Sequence, residues 1–262
     1  MRLYVVRHAQ SANNALAHPS LMNPDRDSDP SLTEVGFKQA ECVARFLKEE
    51  YGAGAERCAV ENRIGRLYSS PMRRCMLTSA PIARELGLDI TVRGDIFEHG
   101  GCFEGSADGA VKGRPGMGTE QLEREFPGCV VPAELDKGWW KESRGVETVE
   151  EAQERIAGVV KWLWELAEAS EPRDGAVCIV VHGMFIDILC KQLAGARMSV
   201  GKQSAMFCTN NAGVHAFELL VAPEGNIAGM LRFNQVDHIP VELQTGGSVD
   251  GLDECYMNEG SA

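Results

Sequence analysis

The run Val177-Cys178-Ile179-Val180-Val181 contains no charged or strongly polar side chain and stops at His182-Gly183. A strand that is apolar on both faces must be covered on both faces, which marks a central strand of a parallel sheet. This run predicts an α/β chain with helices on either side, and the rest of the sequence agrees. Leu3-Tyr4-Val5-Val6 is a shorter run that stops at Arg7-His8. Arg66-Leu67-Tyr68-Ser69 and Ile90-Thr91-Val92 are two further strand candidates, and Val214–Leu219 with Met230–Phe233 read as a closing pair. Helical periodicity lies between them. Thr33 is placed to cap a helix with Val35, Gln39, Val43, Phe46 and Leu47 on one face. Pro71 suits a first helical position. Met72, Cys75, Met76, Ser79, Ile82, Ala83 and Leu86 follow as an inner face, with Gly87 as the stop. Thr148 and Glu151 form a capping-box pattern ahead of Ala152, Ile156, Val159, Leu163 and Leu166. Phe185, Ile188, Leu189 and Leu193 mark a helix after His182. Strand, loop and helix repeating in this way predict a three-layer α/β/α sandwich around a mostly parallel sheet.

At 262 residues the chain fits one such domain. The domain is expected over residues 1–244, with a Gly- and Pro-rich insertion at about 99–146 read as loops and short helices, a candidate lid. Residues 17–31 read as an exposed loop. Residues 245–262, rich in Gly, Ser and acid, are expected to form a disordered tail.

The formal net charge of −12 argues against nucleic acid or an anionic membrane as main partner. A phosphorylated small molecule stays compatible, because a local cationic pocket fits on an acidic surface. No apolar run is long enough to span a membrane. Met1 leads straight into the first strand, so no leader is expected. The nine Cys show no CxxC pair and read as reduced thiols of a cytoplasmic protein.

Three predicted strands end in groups suited to phosphate: Arg7 and His8 after the first, Arg74 just inside the helix after the second, His182 after the apolar run. Parallel strands bring all four to one edge, where open α/β sheets bind ligands. Two guanidiniums grip phosphate oxygens in pairs of hydrogen bonds. Helix N-termini add N–H donors. A neutral imidazole in that field attacks phosphorus. Each residue alone is weak, since a lone His at a strand end is more often a core or loop residue. Their joint placement carries the reading. With Arg and His supplying the charge stabilisation, no metal or cofactor is expected.

These residues fall in blocks. Arg7-His8-Ala9-Gln10-Ser11 with Asn14, Leu32-Thr33-Glu34-x-Gly36-x-x-Gln39-Ala40, Ser70-Pro71-Met72-Arg73-Arg74, Phe97-Glu98 with Phe103-Glu104-Gly105, and Val180-Val181-His182-Gly183 together resemble the histidine phosphatase superfamily, its phosphoglycerate-mutase-like branch 1. The resemblance covers roughly residues 1–240. It implies a phosphoglycerate-mutase-like fold and a phosphate monoester hydrolysed through a phosphohistidine on His8. It further implies that Arg7, Asn14, Arg74 and His182, with Gly183 beside it, hold the phosphate oxygens. Glu98 protonates the leaving alcohol and then helps water cleave the phosphohistidine. His99 and Glu104 compete for the acid role. Residues 106–145 lack the paired Arg and the Tyr- and Pro-bearing stretch of the mutases, which favours a phosphatase. Mutase-type phosphoryl transfer and a non-catalytic phospho-ligand module are the alternatives. Lys112, Arg114, Lys141 and Arg144 are candidates to meet a second anionic group, and Trp139 and Trp140 are expected to pack the insertion. A small phosphate ester is the expected substrate. A phosphoprotein stays open, and a homodimer is compatible.

Overall fold

The computed structural model describes residues 1–17, 23, 25–105, 111–196 and 205–249. Six strands form the main sheet: β1 (Arg2–Arg7), β2 (Ile64–Ser69), β3 (Ile90–Val92), β6 (Ala176–Val181), β7 (Val214–Leu220) and β8 (Ile227–Gln235). Their order is β3-β2-β6-β1-β7-β8. β6 pairs in parallel with both β1 and β2, and β2 in parallel with β3. β7 runs antiparallel to β1 and β8, so it alone opposes the common direction.

Alternation along the central strands divides the core into two layers. Tyr4, Val6, Cys178 and Val180 pack with residues of α1 (Glu34–Tyr51) and α2 (Arg73–Leu86). Leu3, Val5, Val177, Ile179 and Val181 pack with α4 (Val149–Ala169) and α5 (Gly183–Leu193). Every residue of β6 is buried, as its unbroken apolar run requires. Burying such side chains contributes roughly 1.5–3 kcal/mol each. The helix signals hold as well. Thr33 accepts the Gly36 N–H, Thr148 and Glu151 close a reciprocal capping box, and Gly87 ends α2 with φ of 67°.

Three features differ from the sequence expectation. α2 starts at Arg73 behind Met72, so Pro71 lies before the helix and not at its first position. The insertion carries a hairpin of β4 (Phe103–Gly105) and β5 (Val111–Gly113), followed by α3 (Thr119–Glu125). Three-residue strands are too short for alternation to register in the sequence. Its Val130 also exchanges hydrogen bonds with Ile90 and Val92, covering the β3 edge. Last, Thr245 and Gly247, assigned to the tail, are tied to the core. The Thr245 carbonyl accepts from Asn211 N–H, and Gly247 N–H donates to the Thr209 carbonyl. The remainder of the tail, 250–262, lies outside the described residues, as do 18–22, 24 and 106–110 of the two loops.

β1 and β6 are neighbours, yet the chain leaves β1 toward the α1/α2 layer and β6 toward the α4/α5 layer. The crevice beyond their carboxyl ends is where this topology places a ligand.

Candidate active site

His8 and His182 follow the last residues of β1 and β6, with ring centroids 5.2 Å apart. His8 N–H donates to the Val181 carbonyl at 2.8 Å, extending the β1–β6 ladder by one bond. The His8 Nδ1 lies 2.7 Å from the Ala9 carbonyl. A carbonyl only accepts, so Nδ1 carries the proton and Nε2 carries the lone pair. Arg74 Nε–H approaches that lone pair at 3.2 Å. Burial, then Arg74 and Arg7, hold His8 neutral, well below the ordinary imidazole value. The Ala9 N–H is anchored by Thr78 Oγ at 3.1 Å, fixing the loop against α2.

Arg7 is buried, its Nη1 donating to the Thr209 carbonyl. Its Nε–H is buried with no partner among the described residues. Burial lowers the guanidinium to about 10, with Glu98 opposing and Arg74 adding to the fall, so it stays cationic at neutral pH. Gly183 makes room for it: a Cβ there would sit 3.3 Å from Arg7 Cζ and Nε. His182 is fully buried, with Nε2 2.8 Å from Ser70 Oγ and 3.4 Å from Cys75 Sγ. Burial and Arg74 keep it neutral also.

Asn14 spends its side-chain oxygen on Ser11 N–H, Ser11 Oγ and Asn211 Nδ2, at 3.2, 3.0 and 3.2 Å. That fixes the orientation of its amide. Glu98 reaches the same edge from the loop after β3. Its Oε1 accepts from the backbone N–H of Phe185 at 3.0 Å and of His99 at 2.9 Å; its Oε2 accepts from Met184 at 3.3 Å. His182 provides no side-chain cap for α5, so Glu98 does that work from a distance in sequence. The structure thus brings Arg7, His8, Asn14, Arg74, Glu98, His182 and Gly183 to one edge.

The competitors for the acid role are engaged elsewhere. Glu104 pairs with Arg114 on the hairpin. His99 is buried, its Nδ1 3.8 Å from Glu147. Trp139 and Trp140 are buried and pack on Phe97, with ring centroids 5.2 and 5.4 Å away. Arg144 lies over Trp140. Among the described residues no three His, Cys, Asp or Glu side chains converge as a metal site requires.

The model of the histidine phosphatase superfamily (branch 1) matches residues 3–220. The chain belongs to that superfamily. A histidine phosphatase family member of this kind has curated relatives with which it shares part of its length. The putative phosphoserine phosphatase 2 of Hydrogenobacter thermophilus is 38% identical over 92 residues, 35% of this chain and 36% of that protein. The transcription factor tau 55 kDa subunit of Saccharomyces cerevisiae is 25% identical over 225 residues, 83% of this chain and 47% of that one. The chain therefore spans less than half the length of either relative. Among solved structures, a mycobacterial glucosyl-3-phosphoglycerate phosphatase in complex with VO3 aligns with a TM-score of 0.54 at 20% identity. The alignment covers 90% of this chain and 99% of that one, a likeness of fold.

Sequence reading missed several groups in this family site. Asn211 donates from Nδ2 to the His8 carbonyl at 3.1 Å as well as to Asn14. It is itself held by Thr245, which Gln39 reaches from α1. Ala212, with φ of 55°, turns its N–H toward the Arg7 and His8 carbonyls at 3.1 and 3.3 Å. Asp29, read as part of an exposed loop, accepts the Arg73 N–H at 2.9 Å and buries Oδ2 without a partner among the described residues. Burial lifts its carboxyl to about 6 against the pull of Arg74. The adjacent pair Asn210-Asn211 was the one available signal, since two amides just before a strand suggest a turn with side-chain hydrogen bonding.

Proposed function

We propose that the chain hydrolyses phosphate monoesters through a phosphohistidine on His8. The fixed tautomer carries this reading: with Nδ1 bound to the Ala9 carbonyl, the Nε2 lone pair is turned to the Arg74 side of the crevice. A phosphoryl group docks with its oxygens on Arg7, Arg74, His182 and the Asn14 amide. Nε2 attacks phosphorus, and the bond to the alcohol oxygen breaks. Glu98 passes a proton to that oxygen. Oε2 is the atom to hold it, having a single N–H contact at 3.3 Å against two shorter ones on Oε1. Water then attacks the phosphohistidine, its proton goes to Glu98, and inorganic phosphate leaves with His8 restored.

The phosphatase names of the Hydrogenobacter relative and of the mycobacterial structure support hydrolysis over mutase transfer, and support a small-molecule ester as substrate. The likeness to the yeast transcription-factor subunit favours a second reading, a non-enzymatic role. A nucleophile and an acid both in reach of one phosphate site weigh against it. The segment 99–146 is read as the part that sets substrate choice within a single domain. The free cysteines among the described residues and the −12 charge support a cytoplasmic protein without nucleic-acid partners.

The test is turnover of p-nitrophenyl phosphate in EDTA by the wild type and His8→Ala. Turnover that survives chelation, with a loss of at least ~100-fold in His8→Ala, is expected. Activity abolished by EDTA, or retained by His8→Ala, would refute the mechanism.

A further inference from the structure

We infer that Arg155 is the positioning residue for the Glu98 carboxyl, an inference that rests on the acid role proposed above. Arg155 projects from α4 and divides its guanidinium between Glu147 and the loop that carries Glu98. Nε and Nη2 fork onto the two Glu147 oxygens at 2.8 and 2.6 Å. Nη1 donates to the carbonyls of Asp95 and Phe97 at 2.9 and 3.1 Å. The flat face of the group lies 3.7 Å from the Phe97 ring centre. Glu147, whose carboxyl is fully buried, carries the grip to the other side of Glu98: its N–H donates to the Gly100 carbonyl at 3.1 Å. Within that span, Gly101 N–H closes a turn on the Glu98 carbonyl at 3.1 Å. Residues 95 and 97 are thus held by the Arg155 guanidinium and residue 100 by the backbone of its ion-pair partner Glu147, and Glu98 stands between them.

The α5 amides aim the carboxyl, but they hold it only if the backbone of Glu98 stays in place. A backbone hung between β3 and a long insertion has no ladder to fix it, so the fork supplies that function. Lysine cannot replace it, since one ammonium does not serve a carboxylate fork and two carbonyls in a plane.

A residue with a merely structural role slows every substrate alike. A displaced acid costs most where the leaving oxygen most needs a proton. The experiment therefore compares kcat/KM for p-nitrophenyl phosphate, whose leaving group departs without help, with that for phenyl phosphate. This ratio reports the first irreversible step, so slow hydrolysis of the phosphohistidine does not mask it. Three proteins are measured beside the wild type: Glu98→Gln, Arg155→Lys, and the double variant Arg155→Met with Glu147→Leu. The double variant removes both charges together, so neither partner of the ion pair is left buried without the other, and it decides the matter if Arg155→Lys does not fold. The expected result is a loss on phenyl phosphate about tenfold greater than on p-nitrophenyl phosphate for the Arg155 variants, in the same direction as Glu98→Gln. Equal losses on both esters, or none, in folded Arg155 variants overturn the inference while Glu98→Gln still discriminates. If Glu98→Gln itself treats the two esters alike, the acid role fails, and the positioning role with it.

Discussion

The two halves of the site are built from different material. The half that carries His8, Arg7 and His182 hangs on two paired strands, and its groups are set by ladder bonds and by contacts to backbone carbonyls and a hydroxyl, with no ion pair among them. The half that carries Glu98 hangs on a loop and is set by charge: a carboxylate on helix amides, and an arginine on a buried glutamate. Strands fix a side chain to within the precision of the sheet. A loop needs specific partners, and those partners become part of the function.

The largest expected effect follows from the double role of Glu98. Glu98→Ala removes the proposed acid and, with it, the acceptor for the first turn of α5. Activity on phenyl phosphate is expected to fall by at least ~100-fold, and stability by about 1 kcal/mol, the usual cost of a lost cap. Steady-state kinetics and urea denaturation of the same preparation check both. A lost activity with an unchanged denaturation midpoint would show that α5 holds its first turn without Glu98, and would erase this difference between the halves.

The same contrast explains what the sequence made legible. His8, Arg74 and His182 stand next to apolar runs whose period announces strands and helices, so their convergence follows from topology. Asn211 and Arg155 carry no such mark. Asn211 meets the His8 carbonyl 203 positions away, and Arg155 meets the Phe97 carbonyl 58 positions away. One lies in a turn before β7, the other on a helix face that also bears ordinary solvated charges. Pairing over that span depends on how elements pack, which local pattern does not encode. The assignment of Thr245 to the tail failed for this reason too: a Gly-rich composition predicts low burial, but Thr245 bonds to Asn211 and Gln39.

Asn211 tests whether the strand half is as self-sufficient as it looks. Asn211→Ala frees Asn14 and removes one donor to the His8 carbonyl, and a loss of about tenfold in kcat/KM is expected. Asn211→Asp keeps the shape but puts a carboxylate oxygen where Nδ2 donates to both Asn14 and the His8 carbonyl, beside the proposed phosphate site, so it should be the worse of the two. If both variants match the wild type, Asn14 and the loop after β1 are positioned by the strands alone.

Acid should separate the halves in order. The unfolded chain takes protons on histidine near the ordinary value of 6.5, while burial with Arg74 and Arg7 keeps folded His8 neutral well below it, and burial with Arg74 keeps His182 so. The stability these groups contribute is therefore complete above 6.5 and lost as pH falls below it, by up to about 1.4 kcal/mol per pH unit for each. His215, which burial lowers to about 3, adds to the same slope. Glu147 responds later. Burial would raise its carboxyl, but hydrogen bonds from Arg155 and His99 outweigh that and hold it below 4.5. Its contribution is present above 4.5 and lost as pH falls through the lower folded value. Urea midpoints from pH 8 to pH 4 should decline from about 6.5 in the wild type and in the double Arg155→Met, Glu147→Leu variant alike, with the two curves parting only below about 4.5. Asp29, whose carboxyl burial lifts to about 6, opposes this slope below that pH, but as one group against three histidines, so a midpoint that stays flat down to pH 5 would mean that the histidines are not held neutral.

The smallest effect is the most local. Gly183 begins α5 and faces the Arg7 guanidinium, which Gly246 bounds on another side: a Cβ at Gly246 would sit 2.8 Å from Nη1, with φ of 79°. Gly246 lies beyond the family match, so the floor under Arg7 comes from this chain's own C-terminal segment. In Gly183→Ala the new methyl at 3.3 Å pushes on a guanidinium already tied to the Thr209 carbonyl, and Arg7 must give by a few tenths of an ångström. Alanine is the better helix former by up to about 1 kcal/mol. Stability should therefore rise slightly while kcat/KM falls by about two- to fivefold, because the displaced donor meets the phosphate off its line. The opposite signs are the point of the measurement. A gain in stability with full activity would mean that Arg7 has slack on the α5 side, and that the strand half tolerates the kind of displacement that the Glu98 loop is clamped to prevent.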